Sequence, residues 1–151
     1  MEQVNFTPIE ILLAEDNKDD AFLTAHAFEK GRVKNKLHVV PDGVEALAFL
    51  RREGKYAAAP RPDIILLDLN LPRMSGHELL KKIKNDPLFA AIPVIILTTS
   101  KAEADVLQTY KNHSNCFITK PVTMEDFEKV IRTVEEFWFL IVRLPQERGG
   151  E

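Results

Sequence analysis

The sequence predicts an α/β fold with a five-stranded parallel sheet that is covered by helices on both faces. Short β-prone runs recur five times along the chain, and segments with helical spacing of apolar residues alternate with them. The first, third and fourth runs are nearly continuous in Ile, Leu and Val, as expected for strands buried on both faces. The second and fifth runs carry polar residues, which suit the edges of the sheet.

The predicted strands are five or six residues long, which is the usual length in globular proteins. They are IEILLA (Ile9 to Ala14), KLHVV (Lys36 to Val40), DIILL (Asp63 to Leu67), PVIIL (Pro93 to Leu97) and NCFIT (Asn115 to Thr119).

The predicted helices follow the strands in strict alternation. They run from Asp19 to Lys30, Val44 to Glu53, Gly76 to Asn85, Ala102 to Asn112 and Met124 to about Val142. Gly31, Gly54 and the pair Asp86-Pro87 fall where helix stops are expected. The linker-like stretches are KYAAAPRP (Lys55 to Pro62) and the tail PQERGGE. We therefore expect a single domain over residues 1–151, with a core at about 9–142 and flexible ends at 1–8 and 143–151.

Composition excludes several classes of protein. A formal net charge of −3 gives no electrostatic case for binding nucleic acid, because proteins that bind it usually carry a basic face. No apolar run is long enough to span a bilayer, and the first twenty residues lack a basic start followed by an apolar signal core. We expect a cytoplasmic protein without membrane contact. The single cysteine, Cys116, can close no internal disulfide.

Polar side chains stand at the carboxyl ends of the predicted strands, where open α/β sheets bind ligands. They are Glu15 and Asp16 after the first strand, Asp68 and Asn70 after the third, Thr98 after the fourth, and Lys120 with Pro121 after the fifth. Capping is the simpler explanation for some of them: Glu15-Asp16-Asn17 could cap the first helix and Thr98 the fourth. Lys120 could be an ordinary surface lysine.

Asp68 is harder to explain as a structural residue, because a carboxylate at the inner end of a central strand is partly desolvated. Two acids roughly 4 Å apart repel by about 4 kcal/mol at an effective dielectric constant near 20, so three together require a counter-charge. Lys120 alone leaves an excess of negative charge. A hard divalent cation such as Mg²⁺, which prefers oxygen ligands, supplies the remainder.

A carboxylate beside Mg²⁺ can act as a nucleophile toward phosphorus. In this hypothesis Asp68 attacks, Mg²⁺ and Lys120 neutralise charge, and Thr98 donates a hydrogen bond to a phosphoryl oxygen. The sequence contains no GxxxxGK[ST] loop, which argues against a nucleotide as the phosphodonor.

The set Glu15-Asp16, Asp68, Thr98 and Lys120-Pro121 resembles the active site of response-regulator receiver domains, from about Ile9 to the last helix. The resemblance implies a doubly wound, flavodoxin-like (CheY-like) (βα)5 fold with an extended C-terminal helix. It also implies that Asp68 is the phosphoacceptor, that Glu15 and Asp16 bind the metal, and that Asn70 offers its backbone carbonyl to Mg²⁺. Thr98 and Phe117 correspond to the switch pair, Lys120 to the phosphoryl-binding lysine, and Lys120-Pro121 to a cis peptide bond. Phe117 is tyrosine in many relatives.

Within that family the chain is similar to the small regulators that partner cyanobacterial phytochromes. The segments that carry this resemblance are EGKYAAAPRPDIILLDLNLP, LTTSKAEADV, NCFITKP and EEFWF. It implies a sensor histidine kinase, of the phytochrome class, as the phosphodonor. No output domain follows the predicted receiver, so we expect it to act alone through an altered surface.

The C-terminal helix carries six successive apolar residues from Phe137 to Val142, which cover every face of a helix. Packing on the protein's own sheet needs only one stripe. A homodimer is therefore expected through Phe137, Trp138 and Phe139, although folding back over the domain's own rim is the alternative.

Two other functions remain open from the sequence. A haloacid-dehalogenase-type phosphatase also uses an aspartate nucleophile, Mg²⁺ and a lysine. That class needs an acid two residues after the nucleophile, where this chain has Asn70. An interaction module that is never phosphorylated is the second alternative.

Overall fold

The computed structural model describes residues 8–30, 34–98, 116–119 and 132 of the chain. The helix predicted at 102–112 lies outside these residues, as does the helix predicted at 124–142 apart from residue 132. The described elements are β1 (Ile9–Ala14), α1 (Lys18–Glu29), β2 (Asn35–Val40), α2 (Gly43–Arg51), a 3-10 turn (Gly54–Tyr56), β3 (Ile64–Asp68), α3 (Gly76–Lys84), β4 (Val94–Thr98) and β5 (Cys116–Thr119).

The five strands form one parallel sheet in the order β2-β1-β3-β4-β5. This order confirms that the polar second and fifth strands lie at the edges and that the apolar strands lie in the middle. The order reverses between β1 and β3, because the chain passes from β1 to β2 on one side and then crosses to β3 on the other. The carboxyl ends of β1 and β3 therefore flank the crevice where doubly wound sheets place their ligands.

Apolar side chains fill a core on each face of the sheet, which confirms the doubly wound arrangement. Leu12, Ile65 and Ile96 face the larger cluster, to which α2 and α3 contribute Phe49, Leu79 and other side chains. The alternate strand residues, such as Ile11 and Leu66, face a smaller cluster that includes Phe28 of α1. Because side chains alternate across a strand, these two sets come from the same apolar runs.

The helices begin at side-chain caps that the sequence provides. Asn17, Asp42 and Ser75 each accept a hydrogen bond from the amide three residues ahead, and so cap α1, α2 and α3. The end of α2 differs from the prediction: the left-handed residue that closes the helix is Arg52, with φ 57°, and Gly54 begins the 3-10 turn.

The stretch from Lys55 to Pro62, which the sequence suggested as linker-like, is packed in part against the domain: Tyr56 and Ala59 contact the larger core cluster. The Tyr56 hydroxyl donates a 2.6 Å hydrogen bond to Oε1 of Glu45, and its ring meets Phe49 at 5.4 Å between centroids. Burial, together with the Glu45 carboxylate, raises the pKa of Tyr56 to about 12. The same hydrogen bond lowers the pKa of Glu45.

Among the described residues, no helix is long and apolar enough to cross a membrane.

Candidate functional site

Glu15 and Asp68 lie side by side at the carboxyl edge of the sheet. The pairing of β1 with β3 aligns Ala14 with Leu67, so the residues that follow them in the chain, Glu15 and Asp68, reach the same level. Both side chains are buried, at 3% exposure each, whereas Asp16 is exposed. The site therefore combines two desolvated carboxylates with a third at its mouth.

The three carboxylates of Glu15, Asp16 and Asp68 each offer an oxygen within 4.8 Å of the others. Three acids so close, two of them buried, repel one another unless a cation lies between them. The donor set consists only of hard oxygen atoms, which Mg²⁺ prefers. Mg²⁺ also often keeps several waters beside one or two carboxylates, so the cluster fits this ion even if one acid binds through water.

Backbone amides fix the two buried carboxylates in place. The Asn17 amide donates a 3.2 Å hydrogen bond to Oε2 of Glu15, and the Asn70 amide donates a 2.9 Å hydrogen bond to Oδ1 of Asp68. Each bond joins a carboxylate to the residue two positions ahead, which orders the turn that follows the strand. The helix cap itself is Asn17, whose Oδ1 accepts from the Asp20 amide at 2.9 Å. Glu15 and Asp16 are therefore left for the acid cluster.

The other predicted site residues are described in part. Asn70 is exposed two residues beyond Asp68. Asp68 and Thr98 are the last residues of β3 and β4 rather than the first after them, a shift of one residue from the prediction. Thr98 pairs with Thr119, and Phe117 pairs with Ile96, in the β4–β5 ladder. The side chains of Thr98 and Phe117 lie outside the described part, as do Lys120, Pro121, Phe137, Trp138 and Phe139 in full.

Gly76 is a site residue that the sequence analysis treated only as a helix start. A Cβ atom on Gly76 would lie 2.5 Å from the Asp68 carbonyl oxygen and 2.5 Å from Leu69 Cα. The Gly76 amide also donates a 3.0 Å hydrogen bond to the Leu69 carbonyl. The first residue of α3 therefore lies directly against the backbone of the buried acid, where only glycine fits without a shift.

Asp42 is a buried acid near the carboxyl end of β2 that the sequence prediction of the site did not include. It follows that strand by two positions and is buried at 5% exposure. Its Oδ1 accepts the Glu45 amide at 2.8 Å, and its Oδ2 lies 3.5 Å from Nη1 of Arg73. The signal in the sequence is its position just after a predicted strand, where open α/β sheets bind ligands.

A scan against protein families matches residues 11–132 to the response regulator receiver domain. The chain belongs to this family. Response regulator Rcp1 of Synechocystis sp. is 43% identical over 91% of this chain and 94% of its own length.

Two solved structures share the fold. The phosphorylated cyanobacterial phytochrome response regulator RcpA is 45% identical with a TM-score of 0.76, over 88% of this chain and 95% of its own. The Mn(2+)-bound form of response regulator Rcp1 is 43% identical with a TM-score of 0.75, over 87% of this chain and 94% of its own.

As a receiver domain, the chain is a two-component signalling protein related to phytochrome response regulators. Receiver domains are phosphorylated by sensor histidine kinases and bind Mg²⁺ in an acidic pocket, which here corresponds to the cluster of Glu15, Asp16 and Asp68. Family membership confirms the resemblance seen in the sequence.

Proposed function

We propose that Asp68 accepts a phosphoryl group from a sensor histidine kinase of the phytochrome class, with Mg²⁺ bound by Glu15, Asp16 and Asp68. One observation carries this proposal. The three carboxylates each place an oxygen within 4.8 Å of the others, at the edge of the sheet where the strand order reverses. The identities of 43% with Rcp1 and 45% with the phytochrome response regulator RcpA support the choice of kinase class.

In the proposed reaction, each residue of the site has a separate role. An oxygen of Asp68 attacks the phosphorus of a phosphohistidine, forming the P–O bond while the P–N bond breaks and the imidazole leaves with the electron pair. Glu15, Asp16 and Asp68 would hold Mg²⁺, which would supply positive charge beside the phosphoryl oxygens. The Asn70 amide holds Asp68 through Oδ1, and we assign the Asn70 carbonyl to the metal.

Residues outside the described part complete the proposal. Lys120, joined to Pro121 by a cis bond, would be the fixed cation beside the phosphoryl group. The Thr98 hydroxyl would turn toward that group, and the Phe117 ring would move into the space released, which changes the surface read by a partner. We further propose that the protein is a cytoplasmic homodimer whose two copies associate through Phe137, Trp138 and Phe139. It does not bind nucleic acid in this proposal.

Incubation with a small labelled phosphodonor distinguishes this function from the alternatives. We expect one base-labile acyl phosphate per chain, formed only with Mg²⁺ and absent in Asp68→Asn. Continuous turnover of the donor would indicate a phosphatase, and no labelling under any condition would indicate an interaction module. The kinase class is tested separately, by comparing transfer rates from a phytochrome kinase and from unrelated sensor kinases under identical conditions.

A further inference from the structure

The loop that follows Asp68, residues 69–75, is joined to the neighbouring β2–α2 loop by an ion pair. Asp42 uses both carboxylate oxygens: Oδ1 caps α2 through the Glu45 amide at 2.8 Å, and Oδ2 faces Nη1 of Arg73 at 3.5 Å. Asp42 is buried while the Arg73 side chain is half-exposed. Arg73 therefore reaches inward from the loop to neutralise a desolvated charge on the adjacent element.

The backbone of Arg73 has an unusual conformation. Its φ is 67°, in the left-handed region that non-glycine residues seldom adopt. Glycine would take this conformation without a steric penalty, yet the chain has an arginine there. A strained residue that also makes the cross-loop ion pair points to a function for its side chain.

Two glycine contacts also pack residues 69–75 closely against their surroundings. A Cβ atom on Gly43 would lie 2.3 Å from the Met74 carbonyl oxygen, so the start of α2 is in contact with this loop. At the other end, Gly76 lies against the Asp68 and Leu69 backbone. A change in the direction of the Arg73 backbone would therefore be transmitted to the residues that hold Asp68.

We propose that Arg73 is a positioning residue for the phosphoacceptor site, acting through Asp42. The ion pair holds residues 69–75 in the conformation that presents the Asn70 backbone and the Asp68 carboxylate to Mg²⁺. This inference rests on the proposed function of Asp68. It assigns Arg73 no contact with the phosphoryl group, since its guanidinium is directed to Asp42.

The test compares Arg73→Gln, Arg73→Lys and Arg73→Gly with a matched control, Arg52→Gly. Arg52 has a similar φ of 57°, but it closes α2 and is not part of the loop that follows Asp68. Within the ranges that the structure describes, it makes no ion pair. Both glycine variants relieve left-handed strain, so both should raise the melting temperature on backbone grounds.

Two readouts separate positioning from general stability: the Mg²⁺ dissociation constant by calorimetry, and amide exchange at Asn70 and Gly76 without metal. We expect Arg73→Gln and Arg73→Gly to raise the dissociation constant roughly twofold to fivefold, the range of a partly exposed ion pair. Both amides should exchange faster. Arg73→Lys should retain most of the wild-type affinity, and Arg52→Gly should leave both readouts unchanged. In an Asp42→Asn background, Arg73→Gln should have little further effect.

Wild-type affinity and exchange in Arg73→Gln would overturn the proposal. So would a loss of affinity that merely follows a loss of global stability across the series. A failure of the proposed function would give a different result: wild-type protein would bind no Mg²⁺, or Asp68→Asn would bind Mg²⁺ as well as wild type does. In that case the exchange rates at Asn70 and Gly76 alone decide whether Arg73 positions the loop.

Discussion

Glu15, directly after β1, and Asp68, the last residue of β3, are adjacent buried carboxylates, each held by the amide of the residue two positions ahead. Their closeness follows from strand order and register, because β1 and β3 pair directly with Ala14 opposite Leu67. Folding thus brings two negative charges out of water together, at an energetic cost that a bound cation or a neutral side chain relieves.

Asp68→Asn should abolish phosphorylation while preserving the fold. The amide is nearly isosteric and removes one charge from the cluster, so the metal-free variant should be about 1 kcal/mol more stable than wild type. Urea unfolding in a chelator measures the stability, and labelling with a phosphodonor measures the chemistry. Full-yield, base-labile labelling of the variant would show that another residue is the phosphoacceptor.

Mg²⁺ should stabilise the wild-type protein by mass action. At a metal concentration one hundred times the dissociation constant, the gain is about 2.7 kcal/mol. Thermal melts with increasing Mg²⁺ check this, and chelator should reverse it. Glu15→Gln and Asp68→Asn should each reduce the gain. An equal gain in Asp68→Asn would place the metal elsewhere.

Gly76→Ala should disturb the phosphoacceptor directly, because the added Cβ would lie 2.5 Å from the Asp68 carbonyl oxygen. We expect a destabilisation of roughly 1 to 3 kcal/mol, typical of overpacking, and slower phosphorylation. Urea unfolding and the rate of labelling measure the two effects.

Gly54→Ala is the matched control for that variant. Gly54 has φ +60° but no other atom within 4 Å of its ideal Cβ position, so alanine there adds backbone strain without a clash. It should cost about 1 kcal/mol of stability and leave the phosphorylation rate unchanged. Equal slowing in both glycine variants would mean that the rate follows global stability rather than the contact with Asp68.

The acid cluster could be predicted from sequence because it depends on regular structure. An apolar run gave β3, a second gave β1, and the rule for strand ends in parallel sheets brought Glu15 and Asp68 together. Gly76 and Arg73 act through the path of an irregular loop, which has no periodicity to read. Similarly, Gly54 suggested a helix stop by residue type, but α2 ends earlier and the left-handed residue that closes it is Arg52.

The Asp63 carboxyl should make stability depend on pH. Burial raises its pKa above the ordinary value of 3.8, partly offset by the Glu10 amide, which donates a 2.8 Å hydrogen bond to Oδ2. The folded protein therefore holds this proton more tightly than the unfolded chain. Its contribution is fully present below pH 3.8 and is lost as pH rises through the higher folded pKa.

Asp63→Asn removes this titration and retains an oxygen that can accept from Glu10. The variant should melt above wild type at pH 7, and the difference should shrink as pH falls through the raised folded pKa toward 3.8. Melting curves at several pH values measure it, with Asp86→Asn as an aspartate control outside this hydrogen bond. A constant difference between Asp63→Asn and wild type at all pH values would contradict the assignment.

The apolar run from Phe137 to Val142 should form the subunit contact of a homodimer, since these six residues would cover every face of the helix that the sequence predicts there. A two-fold contact uses the same surface twice, so one substitution alters both halves of the interface. Replacing Trp138 and Phe139 with polar residues should shift the sedimentation profile toward monomer, because large aromatic residues dominate interface energetics. Circular dichroism and Asp68 phosphorylation should persist. Loss of the fold would place these rings in the domain's own core, and an unchanged profile would place the interface elsewhere.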